Sequence, residues 1–180
     1  MTKEYTSLGL MSGTSGDGVD ASIIKSDGEN QYSLVLDKYF QYDKDIYKNI
    51  HKIKDNINTH QDLKKLSKET RELEEKITLF HAEVVKSLAK DDVDFVGFHG
   101  QTIFHSPEKK ISTQLGNGKL LSELTKKKVI YDFRKNDLKN GGEGAPLTPI
   151  FHKLLVNQKK INLPVTILNI GGIANITSID

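Results

Sequence analysis

No cysteine occurs anywhere in the chain, so disulfides and thiolate metal sites are excluded and a reducing compartment is compatible. No apolar run approaches the roughly 20 residues that cross a bilayer as a helix. The opening stretch, Met1 to Tyr5, has no signal-peptide apolar core. A cytoplasmic location without a membrane partner is therefore expected. An excess of one charge is also missing. The 26 Lys and Arg against 24 Asp and Glu leave a net charge of +2, whereas a dedicated nucleic-acid binder carries a strongly basic face. Internal repeats and low-complexity tracts are absent too. At 180 residues the chain is long enough to bury a core, as one domain or as the larger part of two.

What is present is organised around Gly9 to Asp20. An apolar run, Leu8 to Met11, enters a tip of Ser12, Gly13, Thr14, Ser15, Gly16 and Asp17, and a second run, Val19 to Ile24, leaves it. This predicts a β-hairpin whose tip has no bulk. Glycine permits the positive φ that turns successive N–H groups toward an anion. The hydroxyls add donors, and Asp17 and Asp20 add carboxylates suited to water or a metal. A plain tight turn uses the same residue types. No Gly-Lys-Ser/Thr follows, so this is not a Walker-type loop.

Strands are predicted over 5–12, 18–27 and 31–41, joined by short turns as an antiparallel meander. Helical spacing then takes over at Ile46, Ile50, Ile53 and Ile57. Thr59 with Asp62 forms a capping signature. Beyond it, Leu63, Leu66, Thr70, Leu73, Ile77, Phe80, Val84 and Leu88 form one mostly apolar stripe and predict one helix of about 30 residues, on the order of 45 Å long. A buried strand is expected at Val93 to Phe98, and short strands at 111–115 and 128–131. Further helices are expected within 117–127 and from Pro146 to Leu155, and a last strand at Val165 to Ile170. Strands alternating with helices after a meander indicate an α/β fold with a mixed sheet.

Three more clusters carry chemical potential. His99 to His105 follows the strand ending at Phe98, where α/β sheets gather ligands. Gln101 and Thr102 suit sugar hydroxyls, while His99 and His105 lack the companions a metal site needs. Asp132, Phe133 and Arg134 follow the strand Val129 to Tyr131. A carboxylate there, near a cation, suits a general base or a structural ion pair. The glycine loop Gly141 to Pro146 leads into a helix, an arrangement suited to an anion or to a flexible link. Finally, Asn169, Ile170, Gly171 and Gly172 repeat the strand-to-glycine-turn pattern of the opening loop. Two such tips facing each other would pinch a triphosphate.

In their order along essentially the whole chain, these segments resemble the N-terminal half of the anhydro-N-acetylmuramic acid kinase family. The resemblance also rests on Gln114 to Gly118, on His152 within the stretch after Gly141, and on Asn169 to Thr177. It implies an actin-like sugar-kinase (RNase H-like) domain, ATP as phosphoryl donor, and an anhydro amino sugar as acceptor. The implied reaction adds water across the 1,6-anhydro bridge and phosphorylates the freed 6-hydroxyl, giving N-acetylmuramic acid 6-phosphate for peptidoglycan recycling. By the same resemblance Asp132 is the catalytic base. Ser12, Gly13, Thr14, Ser15, Gly16 and Asp17 form the first phosphate loop, and Asn169, Gly171 and Gly172 the second. His99, Gln101, Thr102 and Arg134 line the sugar site. Met11 and Asn169 stand where much of the wider superfamily has Asp, so no protein–metal bond is expected and Mg²⁺ comes with the nucleotide. Asn117 stands where the family often has Asp. The family's chain is about twice this length, two domains of roughly 150–200 residues each. Residues 1–163 are thus expected to form the N-terminal kinase domain and 164–180 to open a second domain. The fragment alone is expected to be inactive, and a homodimer is expected of the full-length protein. Rival readings are a non-catalytic half-domain and another sugar or acetate kinase of the same superfamily.

Overall fold

The computed structural model describes residues 3–89, 93–171 and 173–180. Three strands open it: β1 (Tyr5–Ser12), β2 (Gly18–Ser26) and β3 (Tyr32–Gln41). They pair antiparallel in sequence order, so the expected meander is present. Alternation sets its faces. Leu8, Leu10 and Ser12 are buried while Gly9 and Met11 are exposed, the period-two pattern of a half-covered strand.

Helix α1 (Lys44–Asp55) starts where Asp43 accepts the Ile46 N–H at 2.8 Å, and buries Ile46, Ile50 and Ile53. The single long helix expected next is two: α2 (His60–Lys65) and α3 (Ser67–Leu88). The Thr59–Asp62 cap is present, with the Asp62 carboxylate accepting from Thr59 N at 2.9 Å and from its hydroxyl at 2.8 Å. The break falls at Leu66, whose carbonyl accepts both the Thr70 N–H and the Thr70 hydroxyl, each at 2.9 Å. A hydroxyl competing inside the ladder is a recognised cause of helix bending. Lys90 to Asp92, expected to end this helix, lie outside the described residues.

Strand β4 (Phe95–Ser106) is longer than expected. The segment from His99 to His105, expected as a loop, is its second half. The cause is a change of partners. Val96 to Phe98 lie between β1 and β6 (Val129–Tyr131), parallel to both. At Gly100 the backbone turns through φ +72°, and Gln101 to Ser106 then pair antiparallel with β5 (Ile111–Leu115). A Cβ at residue 100 would lie 2.5 Å from the Leu115 carbonyl oxygen, so this turn requires glycine. The result is a six-stranded mixed sheet in the order β3-β2-β1-β4-β5, with β6 also on β4.

Helices α1 and α3 cover one face of the sheet, and one core joins them to Leu8, Val19, Ala21, Val96 and Phe98. A fully buried side chain of this size contributes about 1.5–3 kcal/mol. Asn117 caps α4 (Gly118–Thr125) by accepting the Leu120 N–H at 2.9 Å. Asp132 leads from β6 straight into α5 (Phe133–Lys139), a helix the apolar pattern did not announce. Helix α6 (Pro149–Lys159) has proline in its first turn, where the missing N–H costs nothing. Strands β7 (Val165–Asn169) and β8 (Asn175–Ile179) form a separate two-stranded antiparallel sheet.

Candidate active site

The strands β1 and β6 flank β4, run parallel to its first half, and end on the same side of the sheet, each leading into residues singled out by the sequence. β1 ends at Ser12, which pairs with Gln101. On the opposite edge of β4, Phe98 pairs with Tyr131, so Asp132 follows at the level of His99. Two strand spacings separate the first loop from Asp132, roughly 10 Å. The loop and the carboxylate therefore share one edge.

The loop is anchored from beneath. Ser12 is 1% exposed and Gln101 is 0% exposed. The Ser12 Oγ lies 2.6 Å from Gln101 Oε1 and 3.0 Å from the Gly18 carbonyl, with one proton to donate, and it accepts from the Tyr42 hydroxyl at 3.1 Å. Burial pushes the Tyr42 phenol well above its ordinary value, so it stays protonated and donating. Gln101 Nε2 donates to the Gly13 carbonyl at 3.0 Å, and Lys54 Nζ donates to the Thr14 carbonyl at 2.6 Å. The Tyr42 N–H reaches the Asp17 carbonyl at 2.9 Å. Gly16 is buried at φ +64° against Ile50. Thr14, Ser15 and Asp17 are exposed at the tip. The Ser15 hydroxyl donates to the Asp17 carboxylate, which holds that group below its ordinary value.

Asp132 has a left-handed backbone, φ +61°, a conformation Asp tolerates better than most residues at a cost of about 1–2 kcal/mol. It joins a strand end to a helix start without an intervening loop. Its partly exposed carboxylate accepts from Lys135 Nζ at 2.6 Å. An exposed pair of this kind contributes roughly 0–1 kcal/mol, so the lysine is readily displaced. The expected Asp132–Arg134 pairing is not the arrangement seen. Arg134 Nε instead donates to His99 Nε2 at 3.1 Å, and His99 Nδ1 lies 2.7 Å from the Gly100 carbonyl. That pair fixes the tautomer: Nδ1 carries the proton and Nε2 accepts. Burial first, and the Arg134 charge second, hold His99 below its ordinary pKa. A neutral His99 thus steers the guanidinium.

Of the other expected sugar-site residues, Thr102 accepts from Gln114 Nε2 at 3.2 Å on the next strand. Gln101 is directed at the loop, and its oxygen and nitrogen are both engaged there. Among the described residues, no group of three or more His, Asp or Glu side chains is placed to hold a metal. The glycine loop before α6 does surround an anion, but an internal one. The N–H of Gly144 donates to the Asp137 carboxylate at 2.7 Å, and that of Gly142 to the Asp137 carbonyl at 2.9 Å.

Asn169 and Gly171 are exposed at the tip of the β7–β8 hairpin; Gly172 lies outside the described residues. Among the described residues no hydrogen bond joins this tip to the first loop. The hairpin is tied instead to α6, where His152 Nδ1 lies 2.8 Å from the Thr177 hydroxyl, both buried. Sequence reasoning missed Tyr42 and Lys54. Both lie outside any motif, and only the packing of α1 and its entry turn against the loop reveals them.

The arrangement matches known proteins along its length. A family model described as anhydro-N-acetylmuramic acid kinase matches residues 5–180. An anhydro-N-acetylmuramic acid kinase of Pelagibacter ubique is 62% identical over 98% of this chain, covering 48% of that protein. Proteins of the same name from Gluconobacter oxydans and Agrobacterium fabrum are 42% and 38% identical, over 94% and 99% of this chain and 47% and 50% of their own lengths. The chain thus spans about half the length of these relatives. With its mixed sheet flanked by helices and its match over nearly every residue, the chain belongs to the anhydro-N-acetylmuramic acid kinase family.

Proposed function

We propose that the whole protein is an ATP-dependent kinase of a 1,6-anhydro amino sugar, and that this chain supplies its catalytic base and first phosphate loop. The observation that carries the reading is the shared edge: the Ser12–Asp17 loop follows β1 and Asp132 follows β6, the two strands that flank β4 and run parallel to it. In this reading the Asp132 carboxylate takes a proton from water as its oxygen attacks the anomeric carbon. The bond from that carbon to the bridging oxygen breaks. The freed O6 accepts the γ-phosphoryl group, and ADP leaves. The product is N-acetylmuramic acid 6-phosphate, an intermediate suited to cell-wall recycling in the cytoplasm. Outward-facing donors of the first loop hold phosphate charge.

Mg²⁺ fits this site as a companion of the nucleotide. The only loop carboxylate among Ser12 to Asp17 is that of Asp17, exposed and favoured in its ionised form by Ser15. One carboxylate with nucleotide oxygens and water suits Mg²⁺, whose charge would offset that of the phosphates.

His99 and Arg134 belong to the sugar side. Residues 164–180 are read as the opening hairpin of a second domain. Their separate sheet and the exposure of Leu168, Ile170, Ile173 and Ile176 support that reading, because apolar side chains grouped in this way are normally covered. The test is Asp132→Asn in the full-length protein. ATP binding is expected to persist while sugar phosphate formation falls at least roughly a thousandfold, the combined loss of a base and its positioning. Normal turnover in that variant would remove Asp132 from the chemistry.

A further inference from the structure

The resemblance implied that Gln101 lines the sugar site. The geometry points elsewhere. We infer that Gln101 and Lys54 are positioning residues for the phosphate loop, fixing the direction of two of its peptide planes; this rests on reading the Ser12–Asp17 loop as a phosphate loop.

The reasoning begins with peptide planarity. In a trans peptide the C=O and the following N–H point in opposite directions. Gln101 Nε2 holds the Gly13 carbonyl at 3.0 Å, so the Thr14 N–H faces away from Gln101. Lys54 Nζ holds the Thr14 carbonyl at 2.6 Å, so the Ser15 N–H faces away from Lys54. Among the described residues neither N–H is taken by another protein group. Two consecutive amides are thus left pointing outward, next to exposed hydroxyls at the tip. This is the donor arrangement that an oxyanion needs before it arrives.

Gln101 is well placed to do this and badly placed to touch a sugar. It is fully buried and sits beside Ser12 in the β1–β4 register, just after the Gly100 turn. Its oxygen meets the Ser12 hydroxyl at 2.6 Å, while its nitrogen holds Gly13. Ser12 is in turn fixed by Tyr42 at 3.1 Å. Only an amide serves both neighbours at once. Its oxygen accepts from a hydroxyl, and its nitrogen donates to a carbonyl. A carboxylate at the same place keeps the first bond and loses the second unless it is protonated. Lys54, on α1, holds the next carbonyl of the loop.

The experiment uses Gln101→Met, Gln101→Glu and Lys54→Met. In the full-length protein, the first and third are expected to raise the KM for ATP and lower kcat by roughly tenfold, the loss of one hydrogen bond to a preorganised loop. The KM for the anhydro sugar is expected to stay within about twofold. Gln101→Glu is expected to regain activity relative to wild type as pH falls, because the protonated carboxyl again donates to Gly13. In the 180-residue chain, exchange of the Gly16 amide, whose N–H donates to the Gly13 carbonyl at 3.2 Å, is expected to rise roughly tenfold in Gln101→Met and Lys54→Met. This readout needs no turnover. Faster exchange in variants of a protein that turns over no sugar would leave the positioning role standing and the kinase reading fallen. Unchanged exchange together with an unchanged KM for ATP, or a raised sugar KM alone, would overturn the inference. Lys54→Met removes no buried side chain, so its result stands even if Gln101→Met fails to fold.

Discussion

His81 provides a measurement of the core behind the site. It is fully buried on α3, with its ring edge-on to Phe98 at 4.8 Å between centroids. Nδ1 lies 2.8 Å from the Ile77 carbonyl, and Nε2 is buried without a partner. A proton added to Nε2 would place a charge where no acceptor exists, so burial pushes the imidazole from its ordinary 6.5 down to about 4. Between those values the unfolded chain binds more protons than the native one, so stability rises with pH. The contribution is fully present above the unfolded value and is lost as pH falls toward about 4. From about pH 8 to about pH 5 the loss from this one residue is about 2 kcal/mol. His99 shifts in the same direction, so its contribution has to be subtracted. Urea unfolding of wild type and His81→Leu at both pH values isolates His81: the wild-type loss is expected to exceed that of the variant by about 2 kcal/mol. Equal losses in the two proteins would mean that His81 ionises as it does in water, and the account of a sealed core beneath β4 would be wrong.

Two further perturbations probe the loop and its support. Gly16→Ala introduces a Cβ 2.8 Å from Ile50 Cγ2 at φ +64°, and is expected to cost about 2 kcal/mol and to weaken nucleotide binding in a calorimetric titration; unchanged affinity and stability would show that the tip is not clamped. Asp43→Ala removes the cap of α1, and is expected to cost about 1 kcal/mol, seen as a fall in Tm of about 2–4 °C; an unmoved Tm would deny the cap its role.

How far the sequence could be read depended on the range of the forces involved. The meander was legible because alternation and turn residues act locally: Leu8, Leu10 and Ser12 turn inward in the structure as their period-two spacing requires. The Thr59–Asp62 cap was legible for the same reason. What escaped depended on partners distant in the chain. His99 to His105 reads as a polar loop because His99, Gly100 and Gln101 interrupt the apolar run ending at Phe98, yet pairing with Ile111 to Leu115 makes it a strand. The α2–α3 boundary escaped because the apolar spacing runs unbroken through Leu66, where the backbone leaves helical geometry at φ -92° and ψ 19°. Asp132 could be singled out from sequence, but the Arg134 partner could not. Only the register that sets His99 beside β6 shows that the guanidinium goes to an imidazole and not to the carboxylate.

That exchange of partners bears on the proposed role of Asp132 as a base. With Arg134 drawn to His99 and only a surface lysine beside Asp132, the carboxylate stays accessible from the strand edge. The glycine-rich loop follows the same logic in reverse. Two of its amides, those of Gly142 and Gly144, close on Asp137 and are not free for an incoming anion. In the proposed phosphate loop the unpaired amides are those of Thr14 and Ser15, after the end of β1, on the same sheet that carries Asp132. In the proposed site the two reacting ends are fixed to strands on either side of β4, so little entropy is lost in aligning them. Whatever closes over it has to order the ligands and not the protein beneath.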